Sequence, residues 1–543
     1  MLLLLLAVTA SGFIARLGPA RLPLPLVQVA IGAAIALFTD FEVDLAPSIF
    51  FLLLLPPLLF VDGWRMPREG WRRDGRTILE MALGLVVFTV VGLGLFIHWM
   101  LPTVPLAAAF AIAAVLSPTD PVAVAAIASR MQAPKRMLTI LEGESLLNDA
   151  SALVCLRFAV AAVVTGAFSF FGALGSLVWV TLGGLASGVL VTLAVAQYKT
   201  WFGRRFGEEP GLEIIVSLLI PFGAYLLAEA VHASGILAAV AAGVMMSLVE
   251  ARGQAMATTR VRRAVVWDTI QFAAHGVIFV LLGEQMPSIL ARAGETVKLA
   301  GQSNPLWLGV YVLAIIAVLT ALRFVWITIT LQLSLRRARR RGEPAGRPRW
   351  RLVAAMSVAG VRGAITLAGV LTIPFFTDAG APFPARNLAI FLAAGVILGT
   401  LVLASVALPL LLKGLTMPAD GDEAEQEDRA RASAATAALR AVEGLHHRLA
   451  REALGKGRAD ADLYAEAAAR IMDVYRRRIE AHGLSSDEGD ARQRDAIEQR
   501  LRLAALNAER EEIFRLARLR QVGDETARRL VREIDLLEAR YRT

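Results

Sequence analysis

The chain has 543 residues, of which 56% are apolar and 19% charged, with a mean hydropathy of +0.58 and a formal net charge of +9. A soluble domain averages roughly 45–50% apolar and about 25% charged residues, so this composition excludes a soluble enzyme, a secreted disulfide scaffold and a disordered chain. A single cysteine, Cys155, excludes an intrachain disulfide.

Crossing about 30 Å of hydrocarbon takes about 17–25 predominantly apolar residues. Thirteen such runs are expected: 2–16, 22–38, 46–62, 77–101, 105–128, 137–165, 171–196, 212–231, 234–250, 266–290, 305–335, 351–376 and 385–413. The opening MLLLLLAVTASGFIARLG lacks the basic region of a signal peptide and precedes twelve more apolar runs, so it reads as a first span. The third span ends in Leu55-Pro56-Pro57-Leu58-Leu59-Phe60-Val61-Asp62. Asp62 is either a carboxylate at a cavity mouth or an interfacial residue.

The fifth span holds Ser117-Pro118-Thr119-Asp120-Pro121 at its middle. Each proline removes an N–H and clashes one turn back, so the helix breaks here. Irregular backbone at this depth is tolerated where it lines a polar cavity, and half-helix ends can bind a cation or its carboxylate. Asp120 would neutralise a half-helix N-terminus, and Thr119 offers a hydroxyl or carbonyl oxygen. In the sixth span, Glu142-Gly143-Glu144-Ser145-Leu146-Leu147-Asn148-Asp149 puts Ser145, Asn148 and Asp149 at i, i+3 and i+4, on one helix face. Three oxygen-bearing side chains there suit a hard monovalent cation. Intramembrane ionisable groups are functional candidates by default, because burying a charge at mid-bilayer costs about 2.5–3.5 kcal/mol on insertion scales. The twelfth span carries Gly360-Val361-Arg362-Gly363. Arg362 stays charged and needs a buried carboxylate, for which Glu144 and Glu142 are the candidates. Glu213, Glu229, Glu284, His275 and Arg323 are further candidates without a clear motif, and His232 falls in a short loop.

Six spans lie on each side of the seventh, and this odd spacer inverts the second half. The broken fifth span then matches the twelfth, the sequence pointer to an inverted-repeat secondary transporter. Loops after odd-numbered spans hold 25 Lys and Arg, including Arg16, Arg21, Arg68, Arg72, Arg130, Arg252 and eight arginines from Arg336 to Arg351; loops after even-numbered spans hold three, Arg292, Lys298 and Arg386. By the positive-inside rule the odd loops are cytoplasmic, with the N-terminus outside. Residues 414–543 hold 24 basic and 26 acidic side chains, against 32 and 21 in residues 1–413, so two domains meet near Lys413. The second reads as a helical cytoplasmic tail, opened by an acidic linker from Asp420 to Asp428 and broken near Gly455–Gly457 and Gly483–Gly489. It is a regulatory or dimer-stabilising module, or a solvated appendage.

Taken together, Ser117–Pro121, Gly143–Asp149 and Val361-Arg362-Gly363 closely resemble the electroneutral sodium/proton antiporters, the branch of the cation:proton antiporters that includes bacterial NhaP-type proteins and animal sodium/proton exchangers. The resemblance covers residues 1–413. It implies an all-α polytopic fold of two inverted six-helix repeats whose broken helices cross at mid-membrane, and a homodimer in which a core moves like an elevator against a dimerisation domain. It implies that Asp149 binds Na+ or H+ with Ser145 and Thr119, that Asn148 holds the site's structure, that Glu144 pairs with Arg362, and that Asp120 compensates the broken helix. Asp62 matches an acidic family position less closely. One carboxylate neutralised by one proton or one cation gives one-for-one, electrically silent exchange of Na+ or Li+ for H+. K+/H+ exchange is the alternative within this class, and a cation channel is the rival outside it. No GxxxxGK[ST] occurs, so gradients drive transport, with no enzyme activity, cofactor or nucleic-acid partner expected. The expected location is a bacterial cytoplasmic membrane, and the expected role is sodium and pH homeostasis.

Overall fold

The computed structural model describes residues 2–17, 23–39, 52–66, 75–76, 78–128, 135–165, 170–207, 209–250, 257–299, 304–340, 350–378, 380–413, 421–453, 466–476, 488–519, 521, 526, 530–531 and 533–538. The start of the expected third span, the loop residues Arg21, Arg68, Arg72, Arg73, Arg130 and Arg252, residues 341–349, Asp420 and the glycine breaks at 455–457 and 483–487 lie outside the described residues. Two compact units divide the chain, Met1–Leu415 and Thr416–Thr543.

The first unit is helical at every expected span. Its helices are α1 (Leu2–Leu17), α2 (Leu24–Phe38), α3 (Leu55–Arg65), α4 (Leu85–Met100, entered through a π turn at Glu80–Gly84), α5 (Leu106–Leu116), α6 (Pro121–Ala128), α7 (Lys135–Thr165), α8 (Phe170–Phe206), α9 (Pro210–Ala230), α10 (Gly235–Glu250), α11 (Ala257–Ala291), α12 (Ala293–Leu299), α13 (Leu306–Arg340), α14 (Trp350–Val358), α15 (Ala364–Leu371) and α16 (Arg386–Leu412). Several prolines start helices: Pro25, Pro56 and Pro210 stand in first turns, where a missing N–H leaves nothing unsatisfied. The eighth and ninth spans separate where His232 takes φ 55°. There the Ser234 hydroxyl accepts from Leu237 N at 3.3 Å, opening α10.

Six described helices are individually long and apolar enough to cross a bilayer. Of the other seven expected spans, three fall short for physical reasons. The fifth and twelfth are split into half-helices, α5–α6 and α14–α15, and the sixth, α7, loses hydropathy to its buried Glu144, Asn148 and Asp149. The architecture is an all-helical polytopic membrane fold. Apolar helices in lipid gain little from hydrophobic burial against each other, so close approach at small residues drives their packing. Helices α3 and α10 show this. A methyl on Gly243 would lie 2.1 Å from the Phe60 carbonyl oxygen, and one on Gly63 would lie 2.6 Å from that of Val240. The same pair of helices is tied at one end by Trp64 Nε1 donating to Glu250 Oε2 at 2.6 Å. Glu250 also pairs with Arg263, a fully buried guanidinium that reaches Glu213 at 3.2 Å, and Glu213 receives Lys199 at 3.0 Å.

The second unit contains two long helices, α17 (Gly421–Ala453) and α18 (Glu488–Arg518). It has its own small buried set, Ala435, Ala468, Leu506 and Ile534. Arg510 pairs with Asp535 at 2.9 Å and with Glu538.

Candidate functional site

The two broken helices meet at their breaks. Asp120 N donates to the Val361 carbonyl at 2.7 Å, which joins the two irregular segments through the backbone. The prolines dictate the local geometry. Helix α5 stops at Leu116, and α6 restarts on Pro121. Asp120 is the residue before that restart, and its Oδ1 accepts from Ala123 N at 3.2 Å, the geometry of a helix N-cap. The same carboxylate lies on Gly363, the N-cap of α15: a methyl there would sit 2.0 Å from Asp120 Oδ2, so only glycine fits the crossing. One buried carboxylate thus serves two half-helix N-termini, where the helix dipole favours negative charge.

Arg362 does the reverse. Its Nε donates to the carbonyl of Leu116, the last residue of α5, at 2.8 Å, and its Nη1 donates to Gly360 O, just past the end of α14. Its backbone N donates to Thr400 Oγ1 at 3.1 Å. These are carbonyls that a broken helix leaves without a partner, and a cation at a helix C-terminus is favourable. The expected Glu144–Arg362 pair is therefore a correction. Glu144 is fully buried and pairs bidentately with Arg323 of α13, with Nη2 to Oε2 at 2.7 Å and a closer contact from Nη1 to Oε1. Arg323 Nε also donates to Met356 O at 3.0 Å, on the half-helix α14. A planar guanidinium matches a carboxylate through two parallel bonds, which suits a dry pair.

Helix α7 brings its polar face to the crossing. Ser145 Oγ donates to the Thr119 carbonyl at 2.6 Å, and Asn148 Nδ2 donates to Thr119 Oγ1 at 3.3 Å. Asp149 is 3% exposed, and its Oδ1 has no hydrogen-bond partner among the described residues. It lines a cavity of about 30 Å³ together with Asp62, Thr119, Asp120, His275 and Thr366. Room of this size holds one or two waters or a largely dehydrated cation. Thr366 is fully buried, and its hydroxyl too lacks a partner among the described residues.

The structure thus brings Asp149, Ser145, Asn148, Thr119, Asp120 and Arg362 to one crossing. Asp62, left open by sequence, lines the cavity from α3, and its Oδ1 accepts from Gln271 Nε2 at 3.2 Å. Glu144 stands apart on its pair with Arg323. Sequence reading passed over Gln271, which has no motif around it, and gave no role to Thr366, three residues after Gly363. It noted Arg323 and His275 only as polar residues inside apolar runs.

Residues 2–414 match the family described as sodium/hydrogen exchanger, transmembrane. The chain belongs to this family. One relative, the uncharacterized Na+/H+ exchanger YjcE of Escherichia coli, is 40% identical over 99% of this chain and 97% of its own length. A sodium, potassium, lithium and rubidium/H+ antiporter of Bacillus pumilus is 43% identical over 76% of this chain, a match that spans 60% of that protein. Among solved structures, the sodium proton antiporter MjNhaP1 of Methanocaldococcus jannaschii superposes with a TM-score of 0.57 at 17% identity. That match covers 76% of this exchanger and 97% of MjNhaP1, and it supports the fold.

Proposed function

We propose that this exchanger swaps one Na+ for one H+ at Asp149, without net charge movement, by alternating access at the crossing of the broken helices. The observation that carries the reading is the state of Asp149: buried, facing a cavity of cation size, its Oδ1 without a hydrogen bond from the described residues. Around it two carboxylates stand with arginines, and Asp62 adds a further carboxylate at the cavity wall. Glu144 is matched by Arg323, and Asp120 and Arg362 serve opposite helix ends of one crossing. Ionisation of Asp149 adds one negative charge to this assembly, and either a proton or a monovalent cation offsets it. Binding one excludes the other, which is the condition for one-for-one exchange. The Thr119 carbonyl and the Ser145, Thr119 and Thr366 hydroxyls supply neutral oxygens beside Asp149 for a cation stripped of water, while Asn148 holds Thr119 in place.

Asp62 belongs to α3, which α10 holds through Gly63, Gly243 and Trp64, whereas Asp149 belongs to α7 and the breaks to α5–α6 and α14–α15. A cavity lined by α3 as well as by the broken helices and α7 fits an elevator motion of a core against a dimerisation domain in a homodimer. The topology that follows puts the N-terminus outside a bacterial cytoplasmic membrane and residues 414–543 in the cytoplasm, in a role in sodium and pH homeostasis. The deciding experiment is exchange by the purified protein in liposomes, read by an internal pH dye as Na+, Li+ or K+ is added outside. Na+ is expected to drive proton movement, at a rate unaffected by an imposed membrane potential of either sign. A steady current, or a rate that follows the potential, would show unequal stoichiometry. The breadth of cations in the name of the Bacillus relative favours testing K+ as the second substrate.

Truncation after residue 418 is expected to leave exchange intact, because the groups of the proposed site all lie in the compact unit Met1–Leu415. A tail can shift the balance of inward- and outward-facing states only by its differential affinity for them, so the change belongs in half-saturation or pH profile. A well-folded truncated dimer, silent at every pH, would make the tail part of the transport cycle.

A further inference from the structure

Asp62 is oriented by a chain of side chains that leads from the cavity to solvent. Gln271 of α11 donates from Nε2 to Asp62 Oδ1 at 3.2 Å. Its Oε1 accepts from Arg65 Nη1 at 2.9 Å. Arg65 in turn pairs through Nη2 with Asp268, one helical turn before Gln271 on α11. Arg65 and Asp268 are 40% and 62% exposed, so their pair adds little to stability. Its effect is directional. A primary amide can present either its oxygen or its NH2, and the guanidinium, which only donates, fixes the oxygen toward Arg65. The NH2 is left for Asp62. Reversal of the amide would set an oxygen against the carboxylate. The backbone beneath Asp62 is already fixed, since neighbouring Gly63 packs on Val240 O and Trp64 is bonded to Glu250. His275, one turn after Gln271, has Nδ1 3.0 Å from the Gln271 carbonyl and lines the same cavity. The carbonyl can only accept, so Nδ1 carries the proton.

We propose that Gln271 is a positioning residue for exchange. Clamped by Arg65 and Asp268, it holds the Asp62 carboxylate at the cavity wall, where its charge raises the affinity of the Asp149 site for the incoming cation. The inference rests on the antiporter reading. It assigns the clamp an effect on cation half-saturation, with turnover unchanged, because none of the three clamp residues lines the cavity that holds Asp149.

The test uses the full-length protein in liposomes, with initial Na+-driven proton movement measured against Na+ concentration at fixed pH. Gln271→Met keeps the volume and removes the amide. It is expected to raise the Na+ half-saturation by about 5–10-fold, the scale of one ordinary hydrogen bond, with the maximal rate little changed. Asp62→Asn is expected to raise half-saturation at least as much. Adding Gln271→Met to Asp62→Asn is expected to change nothing further, because the amide acts through that carboxylate. Arg65→Met, at a half-exposed position, repeats the single-variant test if Gln271→Met yields no folded protein, and Arg65→Lys is expected to recover only part of the affinity. Unchanged half-saturation in both Gln271→Met and Arg65→Met would overturn the proposal. So would effects that add in the double variant with Asp62→Asn, or a fall in maximal rate alone. No exchange by the wild-type protein would overturn the antiporter reading itself, and the positioning role with it.

Discussion

Asp149→Asn is expected to abolish cation/proton exchange while leaving a folded, monodisperse protein. The substitution keeps the shape of the side chain and removes the group on which, in the proposed mechanism, proton and cation compete. Asparagine takes up no proton at neutral pH, and its amide oxygen offers a cation no net charge. The buried position makes the loss steep: a cation leaving water for a cavity of about 30 Å³ needs a full negative charge to offset dehydration. Folding is expected to survive because Asp149 Oδ1 carries no internal hydrogen bond from the described residues, so no structural partner is stranded. The measurement is Na+-driven proton movement in liposomes together with thermal unfolding in detergent. Near-normal exchange by this variant would sink the proposed mechanism, since it would require a different carboxylate, with Asp62 the first to examine.

The parts of this molecule that sequence announces are those whose cause is local. Two prolines flanking Thr119 and Asp120 must break a helix, and Asp120 next to the restart must cap it; both effects act within a few residues. Ser145, Asn148 and Asp149 share a face by helical spacing alone. Partner choice between distant helices has no such local cause. Arg362 and Arg323 are both arginines deep in apolar spans, and either satisfies the demand of Glu144 for a cation. The outcome turned on orphan carbonyls. The breaks that make the site expose Leu116 O and Gly360 O, and these claim Arg362, leaving Glu144 to Arg323 on an unbroken helix. A count of acceptors at the broken ends, added to the count of charges, would have pointed there. Gln271 and Thr366 were silent because a neutral polar residue in an apolar run carries no signal until its neighbours across the bundle are known.

Arg323→Ala is expected to be the most damaging single substitution for folding, and its pattern of rescue distinguishes the two arginines. Removing Arg323 leaves Glu144 ionised in a fully buried place, or forces it to take up a proton, and it strands Met356 O as well. Breaking a buried pair from one side costs about 3–5 kcal/mol, a large share of a marginal stability. Little folded protein is expected on extraction, with a much lowered unfolding temperature. Glu144→Gln in the same chain removes the stranded charge and is expected to restore most of the loss, so the two changes together cost far less than their sum. Arg362→Ala is also expected to destabilise, but through the half-helix ends, where two carbonyls lose their donor. Glu144→Gln does nothing for those carbonyls, so it is expected to give Arg362→Ala no rescue. Unfolding temperatures of the three single and two double variants, measured in detergent, decide the matter. Rescue of Arg362→Ala by Glu144→Gln, with none for Arg323→Ala, would reverse the assignment and return Glu144 to Arg362.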